Sequence, residues 1–160
     1  MSVAIRNAES SDYLRVIGVV DSWWGGRRMT DMLPRLFFVH FRSTCFVADD
    51  AGEIVGFVAG FISQHYPDEA YIHFVGVHPE FRHQRLAARL YETFFAAAAI
   101  HGCRLVRCVT APFNRTSIAF HRRMGFCMEE SPRIVDGAYI AEDYDGPRED
   151  RVLFVKRIGG

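Results

Sequence analysis

Lysine is almost absent from this chain. Eighteen of the nineteen basic residues are arginine, and Lys156 stands alone. The skew reads first as codon bias; a few of the arginines could also serve phosphates, where a planar fork outperforms an ammonium. Net charge is absent too, because nineteen acidic residues balance the basic ones. That balance gives no support to a surface-wide affinity for nucleic acid or an anionic membrane. No apolar run approaches the roughly 20 residues of a membrane span. Residues 1–7 lack the basic-then-apolar pattern of a secretory signal. The four cysteines, Cys45, Cys103, Cys108 and Cys127, form no C-x-x-C pair and have no histidines at zinc spacing beside them. No metal is therefore expected, and a reduced, cytoplasmic setting is. No Gly-Lys-Ser/Thr follows any strand pattern, which excludes a P-loop nucleotide site. Repeats are missing, and the one low-complexity patch, Ala96–Ala99, is good helix.

What is present is a globular pattern, with 49% hydrophobic and 24% charged residues over 160 positions. Val3–Arg6 suits a first strand, and Ser10, Ser11 and Asp12 offer caps to a helix reaching Val20. Trp23-Trp24-Gly25-Gly26 breaks that helix. Thr30 or Asp31 caps a second, with Pro34 in its first turn and Leu36, Phe37, Val39, His40 and Phe41 along it. Cys45–Ala48 and Ile54–Ile62 read as a hairpin turned at Asp50-Ala51-Gly52. Ala70–Val77 is apolar on both alternations, as a central strand covered on two faces must be. A helical period runs from Phe81 to His101 and stops at Gly102. Leu105–Val109 is another buried strand. Asn114 caps a helix, Arg115–Met124, that Gly125 ends. Phe126–Met128 and Val152–Val155 supply the sixth and seventh strands, and Gly137–Asp150 is left unassigned. Strands with interspersed helices give a mixed α/β or α+β sheet.

Chemistry concentrates where the central strand ends at Val77, Pro79 turns the chain and a helix opens near Gln84. A strand–loop–helix of this kind aims free backbone N–H groups and the positive end of a helix dipole at one spot, which suits phosphate. It is equally the form of an ordinary turn. The residues add more. Val77-x-Pro79-x-x-Arg82-x-x-x-Leu86-Ala87-x-x-Leu90 resembles the coenzyme-binding signature of the GNAT superfamily of acyl-CoA-dependent N-acyltransferases. Downstream, Asn114-x-x-Ser117-x-x-Phe120-His121-x-x-Met124-Gly125-Phe126 resembles that family's second helix motif. The element order fits as well.

The resemblance implies a single N-acetyltransferase domain over residues 1–160. Its fold would be a mixed, mostly antiparallel sheet of about seven strands flanked by about four helices, splayed between the fourth and fifth strands. Backbone groups of Val75 and Val77 would pair with the pantetheine arm of acetyl-CoA, and Gly76 would permit a bulge that opens the strand. Arg82, His83, Gln84, Arg85, Leu86, Ala87 and Ala88 would cradle the pyrophosphate, and Asn114 would contact the arm near the sulfur. Two positions depart from the family pattern. Arg85 replaces its first glycine, where a residue already in helical φ/ψ needs none and a guanidinium can reach phosphate instead. His121 replaces the usual Tyr, so it becomes the candidate general acid for the departing thiolate beside the coenzyme; the alternative is that it packs beside Phe120.

The attacking amine needs a base. On a regular pleat Tyr71, His73, Val75 and Val77 share one face, and His73 is the basic candidate, with a satisfied core histidine as the alternative. The N–H of Val75 would serve the acyl oxygen. Trp23 and Trp24 would form an acceptor wall, the alternative being that they simply pack, and Tyr71 and Tyr144 are further acceptor-binding candidates. Asp136, Glu142, Asp143, Asp145, Glu149 and Asp150 would draw a cationic amine. The expected activity is transfer of an acetyl or small acyl group to a primary amine of a small molecule or protein, without metal, nucleic acid or membrane. Homodimerisation is left open. The alternative is an acyl-CoA-binding sensor without turnover.

Overall fold

The longest strands are those whose residues are apolar on both faces, and they lie at the centre. The computed structural model describes residues 2–159. In chain order it contains strand β1 (Val3–Asn7), helices α1 (Asp12–Ile17), α2 (Val20–Trp23) and α3 (Leu36–His40), and strands β2 (Cys45–Asp50), β3 (Glu53–Ile62) and β4 (Glu69–Val77). Helix α4 (Leu86–Ile100), strand β5 (Leu105–Thr110) and helix α5 (Arg115–Arg123) follow. Short strands β6 (Cys127–Met128), β7 (Arg133–Val135) and β8 (Ala138–Ile140) lead to β9 (Val152–Arg157). Short 3-10 turns occupy Thr30–Met32, Arg42–Thr44 and Pro79–Gln84.

Seven strands form one sheet in the order β1-β2-β3-β4-β5-β9-β6, and β7 with β8 makes a separate hairpin. All pairings in the large sheet are antiparallel except β4 with β5. This is the mixed, mostly antiparallel sheet expected from the sequence. Each face has its own core. Leu86, Leu90, Tyr91 and Phe94 of α4 pack with Ile72, Val106 and Phe154 on one. Val16, Val20, Leu33, Phe37 and Phe38 pack with Val47 and Phe57 on the other.

Three local readings change. The first helix divides into α1 and α2, because Gly18 and the β-branched Val19, whose φ is −121°, interrupt it. The helix expected from Phe81 begins only at Leu86; a 3-10 turn precedes it, and Arg85 between them is left-handed, with φ 57° and ψ 24°. The unassigned stretch supplies β8, which pairs with β7 just before it in a hairpin. Its turn is Asp136-Gly137, both with positive φ (52° and 79°), the pairing that a two-residue hairpin favours.

Candidate active site

The central opening in the sheet follows from how little of β4 is paired with β5. Only Glu69, Ala70 and Tyr71 pair, with Leu105, Val106 and Arg107. Beyond Tyr71, β4 continues beside β3 alone. Its register there jumps from Gly60↔Ile72 to Ala59↔Phe74, leaving His73 as the extra residue of a bulge. Gly60 opposite is obligatory: a Cβ there would strike the Tyr71 carbonyl and come within 2.5 Å of the Phe94 ring.

The bulge corrects the expected facing of β4. Tyr71 and His73 do not share a face with Val75 and Val77. Ala70 and Ile72 before the bulge, and Val75 and Val77 after it, all pack toward α4, while Phe74 packs on the opposite core. Gly76 does not supply the bulge; a Cβ there would lie 2.6 Å from the Phe57 ring and 3.0 Å from Trp24, so it makes room for both. Backbone direction is fixed by the His78 N–H, which donates to the Val55 carbonyl (2.8 Å). Antiparallel alternation then turns the groups of Phe74 and Gly76 to β3 and those of Val75 and Val77 to the open side. The Val77 carbonyl is taken by Arg82 Nε (3.2 Å).

At one end of the opening lies the N-terminus of α4, which no side chain caps. Its first-turn N–H groups, on Leu86, Ala87 and Ala88, have no carbonyl one turn earlier to meet. His83, Gln84 and Arg85 are exposed beside it. Arg85 is not in right-handed helical geometry, so the expectation that it needs no glycine fails: its φ is one that glycine adopts without cost. The neighbouring arginines are committed elsewhere. Arg82 also donates to the Trp23 carbonyl, and Arg89 donates to the Val3 carbonyl (3.0 Å). Asn114 caps α5, accepting the Ser117 N–H at Oδ1 (3.1 Å), so its Nδ2 is the group left for a ligand.

The two histidines differ sharply. His121 is 5% exposed and stacks on Phe154 at 4.9 Å. Its Nδ1 lies 2.7 Å from the Ser117 carbonyl and its Nε2 lies 2.8 Å from the Tyr91 hydroxyl. A carbonyl only accepts, so Nδ1 carries the proton and Nε2 accepts from Tyr91. Burial pushes the His121 pKa down, against the opposing pull of the Ser117 carbonyl, and burial pushes the Tyr91 phenol well up. The general-acid assignment of His121 is therefore corrected: neither nitrogen offers a proton to a ligand, and the ring is packed in the core. His73 has Nε2 2.6 Å from the Met32 carbonyl and its ring flat on Phe37, with centroids 4.8 Å apart and planes at 10°. Its Nδ1 has no partner among the described residues.

The acceptor candidates separate. Trp23 is core, stacked on Phe57, and does not form a wall. Trp24 is half-buried over Phe74 at 5.2 Å. Tyr71 stacks on Phe61, and its phenol is held well above its usual pKa by burial, then by Tyr144, Cys108 and Asp145 nearby. Tyr144 is half-exposed. Much of the acidic loop is already neutralised, with Glu142 and Asp150 on Arg133 and Asp145 and Glu149 on Arg151. Sequence reading did not find the triad in which Arg107 bridges Glu69 (2.7 Å) and Glu129 (3.0 Å), since its members lie far apart in the chain. Two surface depressions, of about 380 and 390 Å³, lie one beside Arg15 and His78 and one between α5 and the β7–β8 hairpin. Among the described residues no helix is long and apolar enough to cross a membrane, and no three metal-ligating side chains are grouped.

Comparison with known proteins adds to this geometry. Residues 4–126 match the family model described as Acetyltransferase (GNAT) family. The L-2,4-diaminobutyric acid acetyltransferase of Chromohalobacter salexigens is 34% identical over 90 residues, 56% of this chain and 47% of that protein. The chain thus spans about half the length of the curated relatives it matches. Among solved structures, the diaminobutyrate acetyltransferase of Paenibacillus lautus, in complex with L-2,4-diaminobutyric acid and coenzyme A, superposes with a TM-score of 0.68 at 25% identity, covering 99% of this chain and 95% of that one. Ard1 from Thermoplasma volcanium superposes with a TM-score of 0.78 at 18% identity over 100% of both chains.

Proposed function

The chain belongs to the GNAT family of acetyltransferases, and on that footing we propose that it moves an acetyl group from acetyl-CoA to a primary amine of a small molecule by direct attack. The observation that carries this reading is the opening beyond Tyr71, bordered by the outward backbone groups of Val75 and Val77 and by the uncapped α4 terminus. A coenzyme with a phosphate-rich end and an amide-bearing arm fits this donor set. The N–H groups of Leu86, Ala87 and Ala88 suit the pyrophosphate. Val75 and Val77 suit the arm as an added half-strand, with Asn114 Nδ2 beside it. We read residues 1–160 as one such domain, because β9, near the C-terminal end, lies between β5 and β6.

When bound, acetyl-CoA supplies an acyl thioester with a thiolate leaving group. The chain's own residues do the rest. The Val75 N–H, turned to the open side, would donate to the acyl oxygen, where negative charge grows. His73 takes the acceptor's proton at Nδ1, the nitrogen left free by Met32. His121 holds α5 against Tyr91 and gives up no proton, so the departing sulfur takes its proton from solvent. The acceptor is a small amine, as the relatives' names have it for diaminobutyric acid. Trp24, Tyr71 and Tyr144 border its path.

Incubating the purified protein with acetyl-CoA and a panel of amines, diaminobutyrate included, while following free thiol tests this. Amine-dependent thiol release is expected. Tight acetyl-CoA binding with no release for any amine would replace the enzyme by an acyl-CoA sensor.

A further inference from the structure

We infer that the segment from Met29 to Phe37 is part of the catalytic apparatus, with the Met32 carbonyl and the Phe37 ring acting as positioning groups that fix His73 in one tautomer and one plane. The inference rests on the reading of His73 as the base.

Three restraints converge on the ring. The bulge decides where the side chain starts, because His73 is the residue of β4 without a partner on β3. Phe37 decides its plane: at 4.8 Å and 10° the two rings lie nearly parallel, so His73 cannot rotate about its Cβ–Cγ bond without losing the stack. The Met32 carbonyl decides the proton, since an acceptor 2.6 Å away requires Nε2 to carry hydrogen. The lone pair of the neutral ring is thereby placed on Nδ1, the atom that must receive the proton of the amine. A carboxylate in Met32's place would orient the ring but add a charge; a carbonyl orients it without one.

The strap that carries the carbonyl is itself anchored from both sides. Asp21 Oδ1 accepts the N–H groups of Met29 (2.7 Å) and Thr30 (3.0 Å), and the Tyr13 hydroxyl donates to the Leu33 carbonyl (2.9 Å). Phe37 is 6% exposed in the core between α3 and the sheet, also touching Phe41 and Phe61. Leu33 buries its side chain in the core while the Met32 side chain is exposed, so at Met32 the contribution to the site is the backbone carbonyl. A carbonyl and a stacked ring hold His121 as well, so the distinguishing feature of His73 is its second nitrogen, which has no partner among the described residues. His121, by contrast, has both nitrogens consumed.

The test combines a spectrum with variants. A long-range proton–nitrogen correlation spectrum of the neutral wild-type protein should show His73 as the Nε2–H tautomer. Phe37→Leu should add the second tautomer and lower kcat about tenfold or more, with the KM for acetyl-CoA within twofold. Phe37→Tyr, which keeps the ring, should restore both. His73→Gln, whose amide can still donate to Met32, should keep the fold and lower kcat about 100-fold or more. An Nδ1–H tautomer in the wild type overturns the positioning role and the base at Nδ1 together; a Phe37→Leu enzyme with unchanged kcat and spectrum overturns the positioning role and leaves the base standing. Unchanged turnover in His73→Gln overturns both. Absence of thiol release by the wild type is a separate failure, that of the acetyltransferase reading.

Discussion

The acceptor side and the coenzyme side of the opening each present a histidine, and the two are built to opposite ends. On the acceptor side, His73 sits on a bulge, is anchored at one nitrogen and keeps the other free. On the coenzyme side, His121 sits in a helix, is saturated at both nitrogens and is stacked on Phe154. A basic side chain beside a cleft is not thereby chemical; what its second nitrogen meets decides. The same contrast holds for the arginines, of which Arg82 and Arg89 are tied to backbone carbonyls while Arg85 has no partner among the described residues.

The largest effect should come from breaking the acceptor side at Gly60. Gly60→Ala forces a Cβ against the Tyr71 carbonyl and the Phe94 ring, so β3 or β4 must move. Overpacking against backbone should cost about 3 kcal/mol or more, read as a lowered denaturation midpoint. Acetyl transfer should fall further than stability does, because the bulge that aims His73 is opposite. A variant as stable and active as the wild type would mean that the bulge has no such role.

Next in size is the coenzyme-side pair. His121→Leu leaves the Tyr91 hydroxyl buried without a partner, and Tyr91→Phe does the same to Nε2; each should cost about 1–3 kcal/mol. The double variant should cost less than the sum, giving a clear coupling in a double-mutant cycle. Turnover per folded molecule should persist in His121→Leu, unlike His73→Gln; a collapse of kcat would reinstate His121 as a catalytic group. Proton linkage gives a second readout. The folded-state pKa of His121 is depressed by burial, so between that value and about 6.5 the unfolded chain binds more protons than the folded one. Stability from this residue is therefore present above about pH 6.5 and lost as pH falls below it. His121→Leu should flatten that slope in denaturant titrations at a series of pH values.

Much of the scaffold was legible because local rules suffice for it. Two apolar faces mark β4 as central, Gly102 and Gly125 stop helices where the period ends, and Asn114 caps α5 as its position suggests. The order of elements was enough to expect a mixed sheet, and the parallel pair within it is β4 with β5. The site's details were not legible, because they depend on pairs distant in sequence. Period-two reasoning has no symbol for an extra residue, so the bulge was placed at Gly76 and not at His73. Nothing in α4 marks Tyr91 as more than a core aromatic until α5 brings His121 to it, 30 positions later. The Asp136-Gly137 turn, by contrast, was visible as an Asp-Gly pair between apolar residues and could have been read as a hairpin.

The smallest effect concerns Arg85, where backbone and side chain make opposite demands. A non-glycine residue at φ 57° costs about 1–2 kcal/mol, whereas glycine costs the unfolded chain about 0.4–1 kcal/mol in entropy. Arg85→Gly should thus be neutral or stabilise the fold by at most about 1.6 kcal/mol. A strained residue retained with its guanidinium exposed and unpaired is one whose side chain is used. If the use is phosphate, affinity for acetyl-CoA should fall about five- to tenfold while that for acetyl-pantetheine, which lacks the pyrophosphate, stays the same. Equal losses for both would assign the effect to a reshaped turn. No loss for either would mean that α4's backbone N–H groups hold the phosphates unaided, which would bring the coenzyme side closer to the acceptor side, where the Met32 carbonyl and the Val75 N–H are also backbone groups.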